Sequence, residues 1–131
     1  INMEDKDTGN YGEAAACKYL VDRGYSVIDK NYKKKWGELD ILAEKDNIIH
    51  FIEVKTVSYE TKAILAEEYS QSIYSPEDRV DAKKKQKLQK LIKAWLLENG
   101  PAKEYQLDIM AVYIVPRKKF ATIEWFPNLE V

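Results

Sequence analysis

The sequence predicts an α/β fold, a mixed sheet of about five strands flanked by helices in the order α-β-β-β-α-β-β. Two stretches repeat apolar residues at helical spacing, and five others are short and rich in β-branched and aromatic residues. A chain of 131 residues is long enough for one such domain and too short for two cores. We expect residues 1 to 8, which are polar and unpatterned, to be a flexible terminus, and residues 9 to 131 to form the single domain.

The first helix is predicted to begin at Thr8 or Asn10, both good N-cap residues, and to end at Arg23 before Gly24. Residues 25 to 32 alternate and are predicted to form the first strand. The stretch GELDILAEKDNIIHFIEVKTV, residues 37 to 57, then supplies the second and third strands as a hairpin.

The second half of the domain begins with an ambiguous segment, residues 58 to 78, which could contain a short helix over 61 to 69. A long helix is predicted from Arg79 to Asn99, because its apolar residues recur at helical spacing and Gly100-Pro101 ends it. Two further strands are predicted over residues 105 to 115 and 120 to 126.

Composition narrows the class of protein. Hydrophobic residues make up 45% and charged residues 33% of the chain, which is typical of a globular protein rather than a disordered one. Because no apolar run is long enough to span a bilayer, we expect no membrane association. The single cysteine, Cys17, excludes an intrachain disulfide and favours a reducing compartment, so we expect a cytoplasmic location. The net charge of −1 neither indicates nor excludes a nucleic-acid partner.

The hairpin has charged residues inside its strands. If Asp46 and Asn47 form a two-residue loop, as these residue types favour, Lys45 pairs with Ile48. Counting back along both strands then places Asp40 opposite a second carboxylate, on the third strand. A loop one residue longer or shorter would place these two carboxylates on different faces of the sheet.

The carboxylate opposite Asp40 is that of Glu53, and by the same count Glu38 lies opposite Lys55. All four groups then project from one face of the hairpin. Opposed residues have Cβ atoms about 5 Å apart, so Asp40 and Glu53 should repel each other. A magnesium ion held by both would remove this repulsion, and Lys55 could then orient water or stabilise charge on a phosphate. The alternative is a salt-bridge network on an exposed sheet face.

Motifs along the chain resemble a known family. GELD followed after twelve residues by EVK resembles the D…(D/E)-x-K signature of the restriction-endonuclease-like nucleases. The whole pattern is similar to that of the YraN family, which is described as distantly related to archaeal Holliday junction resolvases. The matching residues are Gly9, Gly12-Glu13, Ala15, Tyr19-Leu20, Asn31-Tyr32-Lys33, Gly37 to Asp40, Phe51 to Thr56, Val80, Lys84, Leu88 and Leu107-Asp108-Ile109.

The resemblance implies a restriction-endonuclease-like fold and hydrolysis of phosphodiester bonds in DNA, including branched DNA. It implies that Asp40 and Glu53 bind Mg²⁺ or Mn²⁺, that Lys55 activates water and that Glu13 joins the centre, with Glu38 as an auxiliary residue. By analogy with resolvases that cut symmetrically, a homodimer is expected. For Glu13 the alternative is a helix-start glutamate favoured by the helix dipole. A non-catalytic nucleic-acid-binding domain remains the alternative function.

Lysine clusters are the candidate contacts to the DNA backbone. We assign this role to Lys33, Lys34, Lys35, Lys84 and Lys87, although such runs more commonly form solvated faces. Lys84 lies on the apolar face of the long helix, where it either extends along the core or reaches the carboxylates.

Several other residues are expected to be structural. His50 falls on the opposite face of its strand from Glu53, and Cys17 is expected to be a small core residue. Among the tryptophans, Trp36 is the candidate for base stacking, because it follows the Lys33 to Lys35 run. Asp108 matches a family motif, but the sequence alone gives it no role.

Overall fold

The computed structural model describes residues 5–71, 81–100 and 104–129. The predicted class and element order are confirmed: a five-stranded mixed sheet is flanked by helices. The elements are helix α1 (Asp5–Asp22), strands β1 (Ser26–Lys34), β2 (Gly37–Lys45) and β3 (Ile48–Ser58), helices α2 (Lys62–Gln71) and α3 (Ala82–Asn99), strand β4 (Glu104–Val115), a 3₁₀ turn (Pro116–Lys118) and strand β5 (Phe120–Leu129).

The five strands lie side by side in sequence order. Neighbours are antiparallel except β3 and β4, which are parallel and are joined by the connection that contains α2 and α3. A parallel pair requires such a crossover, and its strands are usually covered on both faces. Accordingly, every residue of β4 from Leu107 to Val115 is buried.

The sheet is covered on both faces, α1 on one and α2 and α3 on the other. The predicted apolar face of the long helix is confirmed, because it packs against Leu39, Leu42 and Phe51 of the sheet. The residues of this face are Leu88, Leu91, Ile92 and Trp95. On the α1 face, Ala16 and Leu20 pack against inward-facing residues of three strands, namely Ile41, Ala43, Ile52, Met110, Val112 and Ile114.

Helix boundaries differ in part from the predicted ones. Helix α1 begins at Asp5 rather than at Thr8 or Asn10, so residues 5 to 8 are helical; acidic residues such as Asp7 suit the first turn because of the helix dipole. The short helix over 61 to 69 is present as α2. Helix α3 begins at Ala82, and the predicted start at Arg79 lies outside the described residues. In the described part of the chain, no helix is long and apolar enough to cross a membrane.

The hairpin turn follows the predicted two-residue geometry. Asp46 and Asn47 have φ angles of 53° and 65°, the left-handed conformation that a type I′ turn needs at both central positions. Lys45 pairs with Ile48, and the predicted register continues to the pair Ile41–Ile52. The sequence therefore predicted the register of this hairpin correctly from Lys45–Ile48 to Ile41–Ile52.

Candidate active site

Strand β3 brings Glu53 under the N-terminal turn of α3. The Glu53 side chain is buried, with the residue 6% exposed, and its Oε1 lies 2.7 Å from Nζ of Lys84. A buried carboxylate requires a partner of opposite charge, and Lys84 provides it. Lys84 was predicted either to extend along the core or to reach the carboxylates, and the structure shows the second.

Asp40 lies beside Glu53, where the hairpin pairing ends. The backbone pairs of β2 with β3 stop at Ile41–Ile52, and from there the Val54 N–H donates to Asp40 Oδ2 over 2.7 Å. Both carboxylates line the same cleft, and so does Glu38. The predicted convergence of Asp40 and Glu53 is therefore present, through a side-chain contact rather than through a continued ladder.

The face of Glu38 differs from the predicted one. Leu39 and Leu42 both pack on the α3 side of the sheet, whereas Ile41 packs on the α1 side, so the alternation of faces changes phase near Asp40. The predicted pairing of Glu38 with Lys55 is not among the β2–β3 pairs of the described residues. The pairing fails because two successive side chains of β2 do not alternate as the register count assumed, so Glu38 projects from the other face.

Asn31 connects Glu38 to Glu13, a role that the sequence did not predict. In the amide orientation that satisfies all three groups, its side-chain nitrogen donates to Glu38 Oε1 at 2.8 Å and to Glu13 Oε1 at 2.7 Å. The residue is left-handed, with a φ of 53°, inside a strand. Asparagine tolerates this conformation better than most residues, so an Asn in the middle of a strand was the available signal.

Glu13 reaches the sheet because of the glycine before it. A Cβ on Gly12 would lie 1.8 Å from Oγ1 of Thr56, so only glycine lets α1 pass so close to β3. Burial raises the pKa of Glu13, and the negative charge of Glu38 raises it further, while Lys30 lowers it. Glu13 therefore lies beside Asn31 and Glu38 in the acidic cluster, and its part in a catalytic centre stays a prediction.

The electrostatics of Asp40 are those of a carboxylate that is costly to ionise. Burial and the charge of Glu53 raise its pKa from 3.8 to about 7, against the hydrogen bond from Val54, which lowers it. The charges of Glu13 and Glu38 add to the increase. Strongly raised carboxyl pKa values caused by burial and like charge are common at functional sites.

Two lysines with opposite pKa shifts lie next to these carboxylates. Burial lowers the pKa of Lys55, and contact with Lys84 lowers it further. For Lys84, burial is the largest single effect and lowers the pKa, but the hydrogen bond and charge of Glu53, with Lys55 and Asp40, together outweigh it and raise the pKa. Lys84 is thus the charged partner of Glu53, and Lys55 is the lysine whose amine is more easily deprotonated.

An open cleft of about 470 Å³ contains this centre. Asp40 and Glu53 line it together with Lys84 and Lys87 of α3, and Lys83, which was not predicted to contribute, lies beside them. The structure therefore brings two of the predicted DNA-binding lysines to the carboxylates.

The other three predicted lysines lie elsewhere. Lys34 forms an ion pair with Glu98 at the far end of α3, about 21 Å along the helix from Lys84. Lys33 is exposed on β1, paired across the sheet with Glu38, and Lys35 is exposed in the turn before β2. The three-lysine run does not converge on the centre because successive strand residues alternate in direction.

The side chains fit a magnesium or manganese ion that keeps most of its water. In the described ranges, no three or more His, Cys, Asp or Glu side chains are arranged to hold a metal ion by themselves. Mg²⁺ commonly needs only one or two carboxylates, with water and substrate phosphate as its other ligands. Asp40 and Glu53 supply two hard oxygen donors, and a cation there would lower the repulsion that raises the Asp40 pKa.

A second polar cluster lies on the α1 face of the sheet, around Asp108. This residue is fully buried, and its Oδ2 lies 2.6 Å from His50 Nδ1 and accepts from Trp125 Nε1 at 3.0 Å. Its Oδ1 accepts from Gln106 Nε2 and from the Asn128 N–H, each at 2.8 Å. The cluster explains the motif position that the sequence left without a role, and His50 is structural as predicted.

Comparison with known proteins gives a consistent set of relatives. Residues 12–112 match the family model described as Uncharacterised protein family UPF0102. A UPF0102 protein of Moorella thermoacetica is 33% identical over 125 residues, 95% of each chain. One of Campylobacter fetus is 39% identical over 106 residues, and one of Campylobacter jejuni (strain RM1221) is 36% identical over 104; each match covers 79% of this chain and 81% of the relative. The region matched by the family model contains the whole acidic cluster.

Proposed function

The chain belongs to the UPF0102 (YraN) family, and we propose that it is a metal-dependent nuclease that hydrolyses phosphodiester bonds in DNA, branched DNA included. The observation that most supports this proposal is the convergence of Asp40 and Glu53 in a cleft beside Lys55. The buried Glu53 and the half-buried Asp40 carboxylates repel each other and would gain stability from a divalent cation. The D…(D/E)-x-K pattern assigns the same chemistry to the same three residues.

In the proposed centre, Asp40 and Glu53 would hold Mg²⁺ or Mn²⁺, with Glu13 as a further carboxylate of the site. The ion, when bound, supplies positive charge at the scissile phosphate. Asn31 bridges Glu13 and Glu38 by donating to both, which fixes the position of the Glu13 carboxylate.

Lys55 is suited to accept a proton from the attacking water, because burial and Lys84 lower its pKa. The water oxygen forms a bond to phosphorus, the bond from phosphorus to the departing sugar oxygen breaks, and that oxygen takes a proton from solvent. Lys84 stays protonated beside Glu53. Lys83 and Lys87 on the same cleft contact the DNA backbone, so binding should weaken as salt rises.

The alternative, a non-catalytic nucleic-acid-binding domain, is favoured by one specific observation. Lys84 already neutralises Glu53 at 2.7 Å, so the cleft contains a cation of its own. In that case Lys83 and Lys87 would bind phosphate, and the carboxylates would only anchor Lys84.

Cleavage assays on linear duplex, flap and four-way junction DNA separate these functions. We expect the wild type to cut with Mg²⁺ or Mn²⁺ and not in EDTA, and Asp40→Asn and Glu53→Gln to lose on the order of 100-fold or more. Asp40→Asn keeps an acceptor for the Val54 N–H, so the fold should persist. The matched control is Glu44→Gln, an exposed carboxylate on the same strand.

Each outcome of this assay assigns a function. Binding without cleavage by the wild type would support the non-catalytic domain. Cleavage that persists equally in Asp40→Asn and Glu53→Gln would come from a contaminating nuclease and would reject the centre. For junction DNA, symmetric cutting needs two centres, so the proposal expects a homodimer on that DNA, detectable by sedimentation.

A further inference from the structure

We propose that Trp36 stacks on an unpaired base next to the scissile phosphate, so that the substrate class is DNA with single-stranded nucleotides at or beside a branch rather than continuous duplex. This inference rests on the proposed function, because it concerns the same cleft. It deepens that function, since carboxylates and lysines act on the backbone and do not distinguish paired from unpaired bases.

The position of Trp36 differs from that of the other two tryptophans. Trp95 is 7% exposed in the core, and its Nε1 donates to Asp29 Oδ2 at 3.2 Å. Trp125 is half-buried, packs against the core on the α1 face and donates its Nε1–H to Asp108. Trp36 is 43% exposed, in the turn between β1 and β2. The core therefore accounts for two of the indoles, and the third is available to a ligand.

The cleft holds the indole beside apolar side chains of α3. Leu88 and Leu91 line it with Trp36, and a Cβ added at Gly37 would lie 3.1 Å from Cδ1 of Leu91. Glycine at this position thus lets the turn that carries Trp36 lie close to the helix. A volume of about 470 Å³ falls within the range of about 300–1,000 Å³ that is typical of small-ligand pockets.

The charges along the cleft match a nucleotide. Lys83 and Lys87 are exposed on the α3 wall, where phosphate oxygens could be bound, and Asp40 and Glu53 lie in the same cleft. An aromatic face beside a row of cations is the usual combination for binding single strands. In duplex DNA the faces of a base are covered by its neighbours, so Trp36 could stack only on a base that has left the duplex.

Binding measured in EDTA tests this without cleavage. Fluorescein-labelled oligothymidylate and a labelled duplex of equal length would be titrated with wild type, Trp36→Ala, Trp36→Phe and the control Tyr105→Ala. Tyr105 is an exposed aromatic outside the cleft, 51% exposed on β4. We expect Trp36→Ala to weaken single-strand binding about tenfold, as loss of one stacked base does, with duplex binding unchanged. Trp36→Phe should keep most of the affinity, and Tyr105→Ala all of it.

Opposite results would overturn the inference. Single-strand binding by Trp36→Ala that equals that of the wild type, equal losses in Trp36→Ala and Tyr105→Ala, or equal losses on single strand and duplex would each reject stacking. A Trp36-dependent preference for single strands in a wild type that cuts nothing with Mg²⁺ would reject the nuclease and keep the stacking. Cleavage that requires Asp40, together with unchanged single-strand binding in Trp36→Ala, would support the nuclease and reject the stacking.

Discussion

Two aspartates, the fully buried Asp108 and the half-buried Asp40, lie on opposite faces of the sheet and differ in how their charges are compensated. Asp108 on the α1 side has four partners, from His50, Trp125, Gln106 and the Asn128 backbone. Asp40, toward the α3 side, accepts the Val54 N–H and has both carboxylates and the amines of Lys55 and Lys84 as electrostatic neighbours, with a net increase in its pKa.

The difference separates a structural carboxylate from a candidate functional one. A buried polar group that is fully hydrogen-bonded holds strands together, and Asp108 connects β4 with β3 and β5 in this way. A carboxylate that is desolvated next to like charges is electrostatically unfavourable, and a bound cation would lower this cost. Asp40 is such a carboxylate, and its raised pKa of about 7 reflects this unfavourable environment.

The largest expected effect is on the structural side of the comparison. Asp108→Ala leaves the buried His50 and the partly buried donors of Trp125 and Gln106 without their acceptor, so it should lower the free energy of unfolding by about 3–5 kcal/mol. Urea unfolding measures this. The matched control is Asp29→Ala, which removes the acceptors of the Trp95 indole and of the exposed Lys30 N–H and should cost about 1 kcal/mol. A loss below about 1 kcal/mol in Asp108→Ala would contradict the structural role.

The next effect is a pH dependence specific to Asp40. The folded state keeps the Asp40 proton up to about pH 7, whereas an ordinary carboxyl loses it near pH 3.8. Because the folded state binds the proton more tightly, stability falls as pH rises from about 4 to about 7, by about 2–4 kcal/mol.

Unfolding of wild type and Asp40→Asn in metal-free buffer across that pH range isolates this effect. The difference between the two proteins should follow the titration of Asp40, and Mg²⁺ should reduce it by stabilising the ionised form. Parallel stability curves for the two proteins would show that Asp40 does not have the raised pKa.

A smaller effect is expected at Lys84. Lys84→Met leaves the Glu53 carboxylate buried without its ion pair, so we expect a loss of about 2 kcal/mol in metal-free buffer that Mg²⁺ partly restores. Lys87→Met, on an exposed part of the same helix, is the control and should change stability by less than about 0.5 kcal/mol. Equal stabilities of Lys84→Met and Lys87→Met would mean that the ion pair contributes nothing.

The smallest effect separates the backbone of Asn31 from its amide. Glycine adopts the φ of 53° freely and alanine does not, so Asn31→Ala should be less stable than Asn31→Gly by about 1 kcal/mol. Both variants remove the donor to Glu13 and Glu38, and both should reduce cleavage to a similar extent. Thermal unfolding and initial cleavage rates test the two parts, and equal stability of the variants would exclude backbone strain at this position.

Local patterns predicted most of the fold. Apolar spacing located the long helix, and the Asp46-Asn47 turn set the hairpin register, because both signals depend on residues close in sequence. The start of α1 was missed because cap-type residues at Thr8 and Asn10 lie inside the helix.

The site was predicted in part for the same physical reason. Asp40 and Glu53 lie on one hairpin, so register counting brought them together, and Lys84 was identified by its position on an apolar helix face. The change of face at Asp40, which redirects Glu38, and the Asn31 bridge depend on a local departure from strand geometry that alternation does not predict. The Asp108 cluster draws on three strands, and such contacts have no local sequence signal.

Binding of Mn²⁺ is the most direct test of the central claim that Asp40 and Glu53 form a divalent-cation site. Electron paramagnetic resonance of free Mn²⁺ would be followed as wild type, Asp40→Asn, Glu53→Gln and the control Glu44→Gln are added. We predict saturable binding by the wild type and Glu44→Gln that is lost in Asp40→Asn and Glu53→Gln. Absence of saturable binding in the wild type, or equal binding by Asp40→Asn, would contradict the account.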